Sequence, residues 1–389
     1  MGFVGSLKRR RQTTQRSAAA AATRGVVVSY PRDANPDAAS HENVTRKAIA
    51  KKLATLQGYE FAGDYNASDR YDTAVYFVPA ETLKGECAHA LGIRGEQDLF
   101  GGVVPFSFVG TKSITHSLCG PGAAAPEGWS REFARLVRGA VLPGCTAFSL
   151  EDAQRGGERL LRAGEVRVKP SLALGGRGQT VAADAHTLKA ALANIAPEEL
   201  GHCGVVVEQN LTAVTTYSVG QVCVADLVAT YFGTQKLTRD PNGLQVYGGS
   251  DLTIARGDFD ALLTLDINED ARVAIEHART YDNAAHRCYA GFFASRRNYD
   301  IVRGRDPTGR VICGVLEQSW RIGGASGAEI AALEAFRADP GLHAVRAECT
   351  EVYGAQAEPP PGATVYFRGA DALIGFITKY TTVQPYVDA

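Results

Sequence analysis

Apolar positions along this chain gather either in short unbroken runs or in stripes at three- and four-residue spacing. The runs predict buried strands and the stripes predict helices. Val26 to Tyr30 is a run closed by Pro31, and Val44 to Leu56 is a stripe with Lys and Arg on its other side. Ala74 to Val78 is a second run. Strand, helix and strand predict a small α/β unit over residues 25–110, with Gly101, Gly102 and Pro105 punctuating its end.

A second unit is expected over 111–204. Arg131 to Val141 is helix-like, and Ser149 with Asp152 three residues on opens a helix that Gly164 closes. Val166 to Pro170 reads as a strand, followed by a glycine-rich turn, a strand over Thr180 to Ala182 and a helix over Ala185 to Ile195. The third unit, 205–345, starts with a strand, Val205 to Glu208. An antiparallel hairpin over Thr216 to Tyr231, a turn at Asp240 to Gly243 and a long helix over Ile267 to Cys288 come next. A second hairpin pairs Phe292–Val302 with Val311–Leu316 around a tip at Asp306 to Gly309. Residues 346–389 read as a C-terminal extension with one strand-like run.

The chain has 389 residues, 45% of them hydrophobic and 21% charged, the profile of an ordinary globular protein that can build a core without staples. Its net charge of −1 argues against a coat for nucleic acid or anionic membrane, and no run reaches the roughly 18 apolar residues of a membrane span. The eight cysteines form no CxxC pair and read as buried free thiols in a cytoplasmic protein. Residues 1–24 read as a disordered leader, basic from Lys8 to Arg11 and then alanine-rich; a transit peptide or nucleic-acid arm has the same composition.

Three features carry candidate chemistry. Lys169 ends a strand just before the turn Gly175, Gly176, Arg177, Gly178 and Gln179. An ammonium beside glycines that let backbone N–H groups approach phosphate oxygens suits a polyphosphate. An ordinary tight turn beside a solvated lysine has the same sequence. The segment is no Walker A loop, and Gly110, Thr111, Lys112, Ser113 is only a near miss. The second feature, Glu208, Gln209, Asn210 and Leu211, is a polar connector after an apolar strand; it could offer backbone groups to an adenine edge or simply turn at the surface. The third is Asp300 with Glu317, on opposite arms of the second hairpin. Two carboxylates sharing a face need a cation between them, and magnesium prefers oxygen ligands. Arg321, four residues beyond Glu317, could instead make a plain salt bridge.

In this order the three resemble the motifs of the ATP-grasp superfamily, which includes biotin carboxylases and D-alanine ligases. Val109 to His116 and Gly164 to Lys169 add a likeness to a bacterial ATP-grasp-related family of unassigned function. The resemblance covers about residues 110–340. It implies an α+β fold of two subdomains clasping a nucleotide, preceded by the small α/β domain. Lys112 and Lys169 would reach the α- and β-phosphates, Gly175 to Gln179 would close over the triphosphate, and Glu208 to Leu211 would read adenine. Asp300, Glu317 and Ser319 would hold Mg2+, and Arg321 would face the transferred phosphoryl or a substrate carboxylate. Lys236 is placed in the phosphate field by neighbourhood. Ser319 stands where the family usually has Asn, and the acid that often holds the ribose should fall near Thr215 or Thr216.

The implied activity is an ATP- and Mg2+-dependent ligase that turns a small-molecule carboxylate into an acylphosphate for capture by an amine or thiol. Lys169 and Arg321 would be its catalytic side chains. Nucleic acid and membrane are not among the expected partners, and a homodimer is compatible with the sequence. A kinase-like phosphotransferase and a non-catalytic nucleotide-binding regulator are the alternatives.

Overall fold

The computed structural model describes residues 24–32, 37, 39–173, 178–355 and 357–386. The expected leader (residues 1–24), apart from Arg24, lies outside the described residues, as do Gly175, Gly176 and Arg177.

The first unit holds β1 (Gly25–Tyr30), α1 (His41–Gln57), β2 (Glu60–Asp64) and β3 (Ala74–Pro79). The three strands form a parallel sheet in the order β2-β1-β3. Ser40 caps α1 by accepting the Asn43 N–H, and Gly58 ends the helix at φ 67°, a left-handed conformation that suits glycine. β4 (Leu83–Lys84), α2 (Gly85–Ala90) and β5 (Gly102–Val104) lead out of this unit.

The middle of the chain contributes α3 (Arg131–Val137), β6 (Gly144–Ala147), α4 (Leu150–Leu161), β7 (Val166–Pro170), β8 (Thr180–Ala182), α5 (Ala185–Ala193), α6 (Pro197–Cys203) and β9 (Val205–Gln209). Strands β6-β9-β7-β8 form an antiparallel sheet, against which Ala153 of α4 and Leu188 and Leu192 of α5 bury their side chains. The expected Ser149 cap of α4 is present, accepting the Asp152 N–H. Strand β9, expected to begin the next unit, belongs to this sheet, because its apolar Val205–Val207 run is wanted between β6 and β7.

The remainder folds as β10 (Thr212–Val224), β11 (Leu227–Arg239), β12 (Gln245–Arg256), α7 (Phe259–Leu263), α8 (Glu269–Cys288), β13 (Phe293–Ala294), β14 (Arg296–Arg305), β15 (Val311–Ser319), α9 (Ser326–Ala338), β16 (Ala344–Tyr353), β17 (Thr364–Asp371) and β18 (Gly375–Pro385). Eight of these strands make one sheet in the order β15-β14-β10-β11-β12-β16-β18-β17. Residues expected as an extension thus supply three of its strands. Side chains alternate across it: Val219, Tyr299 and Ile301 pack toward α8, whereas Val222, Tyr231 and Ile254 pack toward α9 and α1. The large sheet is therefore a middle layer between two helical cores.

Cys119 and Cys145, expected as free thiols, form a disulfide, and the other described cysteines are free. Both sulfurs fill the space that a Cβ on Gly156 would occupy. Sequence spacing could not reveal the pair, since the partners are brought together when residue 118 bridges residue 146 beside β6. Closing a loop of 26 residues corresponds to about 3 kcal/mol of lost unfolded-state entropy. Dithiothreitol is expected to lower the melting temperature of the wild-type chain by several degrees. It should leave a Cys119→Ala/Cys145→Ala variant unmoved, and equal shifts in the two proteins would refute the bridge.

Candidate functional site

The site is built where the end of β7 meets the β14–β15 hairpin. Lys169 is nearly inaccessible, and its Nζ lies 2.8 Å from Glu208 Oε1 on the adjacent strand β9. His116 Nε2 lies 3.1 Å from the other oxygen, Oε2. Burial alone would raise the Glu208 carboxyl, but the Lys169 ammonium and the His116 hydrogen bond overcome it and bring it down to about 2. Glu208 is thus a buried anchor for two cationic or donor groups.

Four residues beyond Lys169, the Ala173 carbonyl accepts a 2.5 Å hydrogen bond from Lys112 Nζ. The same ammonium lies 2.8 Å from Glu317 Oε2. Glu317 stands across from Asp300 in the β14–β15 ladder, where a one-residue register shift between Asp300 and Ile301 brings it opposite. Asp300 Oδ1 accepts hydrogen bonds from Gln235 Nε2 at 2.8 Å and Asn298 Nδ2 at 2.9 Å. Its carboxyl is nevertheless pushed up to about 6, first by burial and then by the Glu317 charge. Lys169 and Glu208 thus form one pair, and Lys112, Glu317 and Asp300 a second group that touches the chain four residues beyond Lys169.

The connector after β9 is partly committed. Gln209 and Asn210 give their N–H groups to the Pro143 and Glu165 carbonyls, and the Asn210 side chain bonds Arg167 and Glu165. Among the described residues no acceptor takes the Leu211 N–H. Leu211 itself closes a small apolar cluster with Leu142, Val302, Ile312 and Leu316. Of the glycine turn, Gly178 is described at φ 68° and Gln179 accepts from Arg167.

Arg321 makes no ion pair among the described residues; its Nη1 donates to the Ile322 carbonyl at 2.8 Å. Burial and the Arg296 charge lower its pKa, opposed by Glu317 and Glu42. A guanidinium so placed offers its remaining donors to an anion.

Two expected site residues are placed differently. Lys236 follows Gln235 on β11 and so points to the other face of the sheet, where it pairs with Glu348 at 2.5 Å. Strand alternation separates it from Asp300, to which its neighbour Gln235 bonds. The Ser319 hydroxyl, expected on a cation, accepts from Arg296 Nη1 at 3.3 Å. A guanidinium beside that oxygen opposes a metal ion there.

Sequence reasoning missed the support behind Asp300. Arg296 and Glu329 are almost wholly buried and pair at 2.8 Å. Burial opposes the Arg296 charge, yet the Glu329 carboxylate raises its pKa further. The Tyr231 hydroxyl bonds both Glu329 Oε1 at 2.6 Å and Asn298 Oδ1 at 3.0 Å, and Asn298 in turn holds Asp300. Gln318 fixes the opposite side, donating to the Val109 and Thr111 carbonyls beside Lys112.

Among the described residues no group of three His, Cys, Asp or Glu side chains could hold a metal. The Asp300/Glu317 couple still fits magnesium, because a raised carboxyl facing a second one, with an ammonium already drawn to it, marks a place short of positive charge. Two protein oxygens suffice for an ion that keeps water and phosphate in its other positions.

Among solved structures, the chain is similar to phosphoribosylamine–glycine ligase from Thermotoga maritima, at TM-score 0.51 and 13% identity over 93% of this chain and 92% of that one. It is also similar to carboxyaminoimidazole ribonucleotide synthase from Aspergillus clavatus, complexed with ATP, at TM-score 0.49 and 12% identity over 93% and 94%. Biotin carboxylase from Campylobacter jejuni gives TM-score 0.49 and 10% identity over 93% and 87%. The first likeness shows that the fold is that of the ATP-grasp ligases. No curated protein matches the sequence. Residues 27–381 match the model of a family described as a protein of unknown function, DUF3182, and the chain belongs to that family.

Proposed function

We propose that the protein is an ATP- and Mg2+-dependent ligase that activates a carboxylate for capture by an amine or thiol. The observation that carries this reading is the position of Lys112, in contact with both Glu317 and the Ala173 carbonyl at the mouth of the glycine turn. In this reading both lysines and both carboxylates face one cleft. The proposed units are 25–110, then residues 111 to 209 as the first lobe, and the eight-stranded sheet with its helices as the second.

In this reading Lys112 and Lys169 bind the phosphates, and Gly178 and Gln179 belong to the loop beside them. The Leu211 N–H is a free donor for the adenine edge. Asp300 and Glu317 would hold magnesium, which when bound neutralises charge on the phosphates. Arg321 orients the substrate carboxylate. A carboxylate oxygen attacks the γ-phosphorus and ADP departs with the bonding pair. An amine or thiol then attacks the acyl carbon, its proton is lost to solvent, and phosphate leaves. The protein's contribution is positioning and charge neutralisation.

Charge-assisted hydrogen bonds contribute about 1.5–3 kcal/mol each. Lys169→Ala is therefore expected to weaken ATP binding roughly 10- to 100-fold by titration calorimetry. An unchanged Kd in a variant that still melts cooperatively would remove the basis of this reading.

A second reading, a nucleotide-binding regulator without turnover, is favoured by the Ser319 hydroxyl facing Arg296 and by Thr215 and Thr216 where a ribose acid would stand. Magnesium-dependent ADP formation with any acceptor would decide against it.

A further inference from the structure

A cavity of about 460 Å³ opens between the C-terminal end of α3, the segment before β6 and the start of β15. None of Lys112, Lys169, Asp300 or Glu317 lines it, so it is distinct from the cleft. No acidic side chain lines it either, whereas Arg138 and Arg310 do. Arg138 makes no ion pair among the described residues, and Arg310 is exposed and reaches Asp306 only at 3.6 Å. Its inner wall is His116, 2% exposed, whose Nε2 lies 3.1 Å from Glu208 and whose Nδ1 has no partner. The His116 ring lies flat against residue 144, which must be glycine because a Cβ there would stand 2.8 Å from Nδ1.

We propose that this cavity is a second binding site, for a small organic anion, and that its occupancy reaches Lys169 through His116 and Glu208. A buried polar atom without a partner beside two arginines is a place that gains from an anionic ligand. His116 and Lys169 share the two oxygens of Glu208. An anion that strengthens the His116 hold on that carboxylate leaves Lys169 freer to meet phosphate. Occupancy of cavity and cleft is thereby positively and reciprocally coupled. The coupling rests on the nucleotide reading of Lys169; the anion site does not.

The test is titration calorimetry on the full chain with L-malate and glycerol 3-phosphate as probes. At least one probe is expected to bind, and the one that binds distinguishes a dicarboxylate from a phosphate ester. Arg138→Ala should weaken it at least about 10-fold, Arg310→Ala should weaken it less, and Lys169→Ala should not abolish it. A saturating probe should tighten ATP binding about 3- to 10-fold in the wild type and have no effect in His116→Asn. No heat from either probe, or binding indifferent to both arginines, would overturn the site. Binding that Lys169→Ala abolishes would assign the probe to the cleft and overturn it equally. ATP binding that ignores the bound probe would overturn the coupling. Anion binding sensitive to Arg138 in a protein that fails to bind ATP would keep this site and sink the nucleotide reading.

Discussion

Asp300→Asn is expected to raise the melting temperature of the nucleotide-free protein at pH 7.5 by about 2–5 °C, while magnesium-dependent ADP formation falls about 10²- to 10³-fold. Both effects have one origin. The Asp300 carboxyl is pushed up to about 6 by burial and by Glu317, above the usual carboxylate range. An acid of this kind keeps a proton that the unfolded chain has already released. It places no burden on the fold below about pH 4, and the burden grows as pH rises through about 6. Two pKa units correspond to about 3 kcal/mol, and the Lys112 ammonium beside Glu317 offsets part of that. An asparagine oxygen can still accept from Gln235 and Asn298, so the hydrogen bonds survive while the charge disappears. The gain in melting temperature should accordingly vanish near pH 4 and be complete above pH 7. A variant melting below the wild type at pH 7.5, or one retaining full turnover, would contradict the role given to this couple.

Glu329→Ala is expected to destabilise the protein by about 3–5 kcal/mol, because it leaves the Arg296 charge buried with no acid beside it. Chemical denaturation followed by tryptophan fluorescence suits the measurement, since Trp320 follows Ser319, whose carbonyl Arg296 holds at 3.0 Å. Replacing both partners by apolar residues of similar size, as in Arg296→Met with Glu329→Leu, should recover most of the loss. The recovered protein would keep its fold and lose the Glu329–Tyr231 bond that stands behind Asn298 and Asp300. A single Glu329→Ala variant as stable as the wild type would show that Arg296 is neutralised by some other group.

Local features were legible in the sequence, and the reason is physical. β7 and β8 fall where the sequence placed them, whereas the register set by the tip would put Asp300 opposite Leu316, and a one-residue shift between Asp300 and Ile301 brings Glu317 across from it instead. Lys112 was found by its likeness to a family motif, and its contact with Ala173 crosses 61 positions that no local pattern encodes. The Tyr231–Glu329 bond spans 98 positions, and its members are single polar residues inside apolar stretches. Helix α9 was missed although Ala328 to Phe336 repeats at helical spacing; its mixture of Ala and Glu conceals a helix that is buried almost all round. Lys236, placed in the phosphate field by neighbourhood, pairs with Glu348 while the preceding Gln235 reaches Asp300, because side-chain direction on a strand inverts with every residue.

At rest both lysines of the cleft already have a carboxylate, Lys169 with Glu208 and Lys112 with Glu317. On the proposed function, an incoming triphosphate would have to take Lys112 away from Glu317, and a divalent ion could claim the carboxylate so released. Nucleotide and metal would then arrive as an exchange of partners rather than as additions to a bare cationic surface. Each should enter poorly alone, and the total charge on the cleft's walls should change little when both are home.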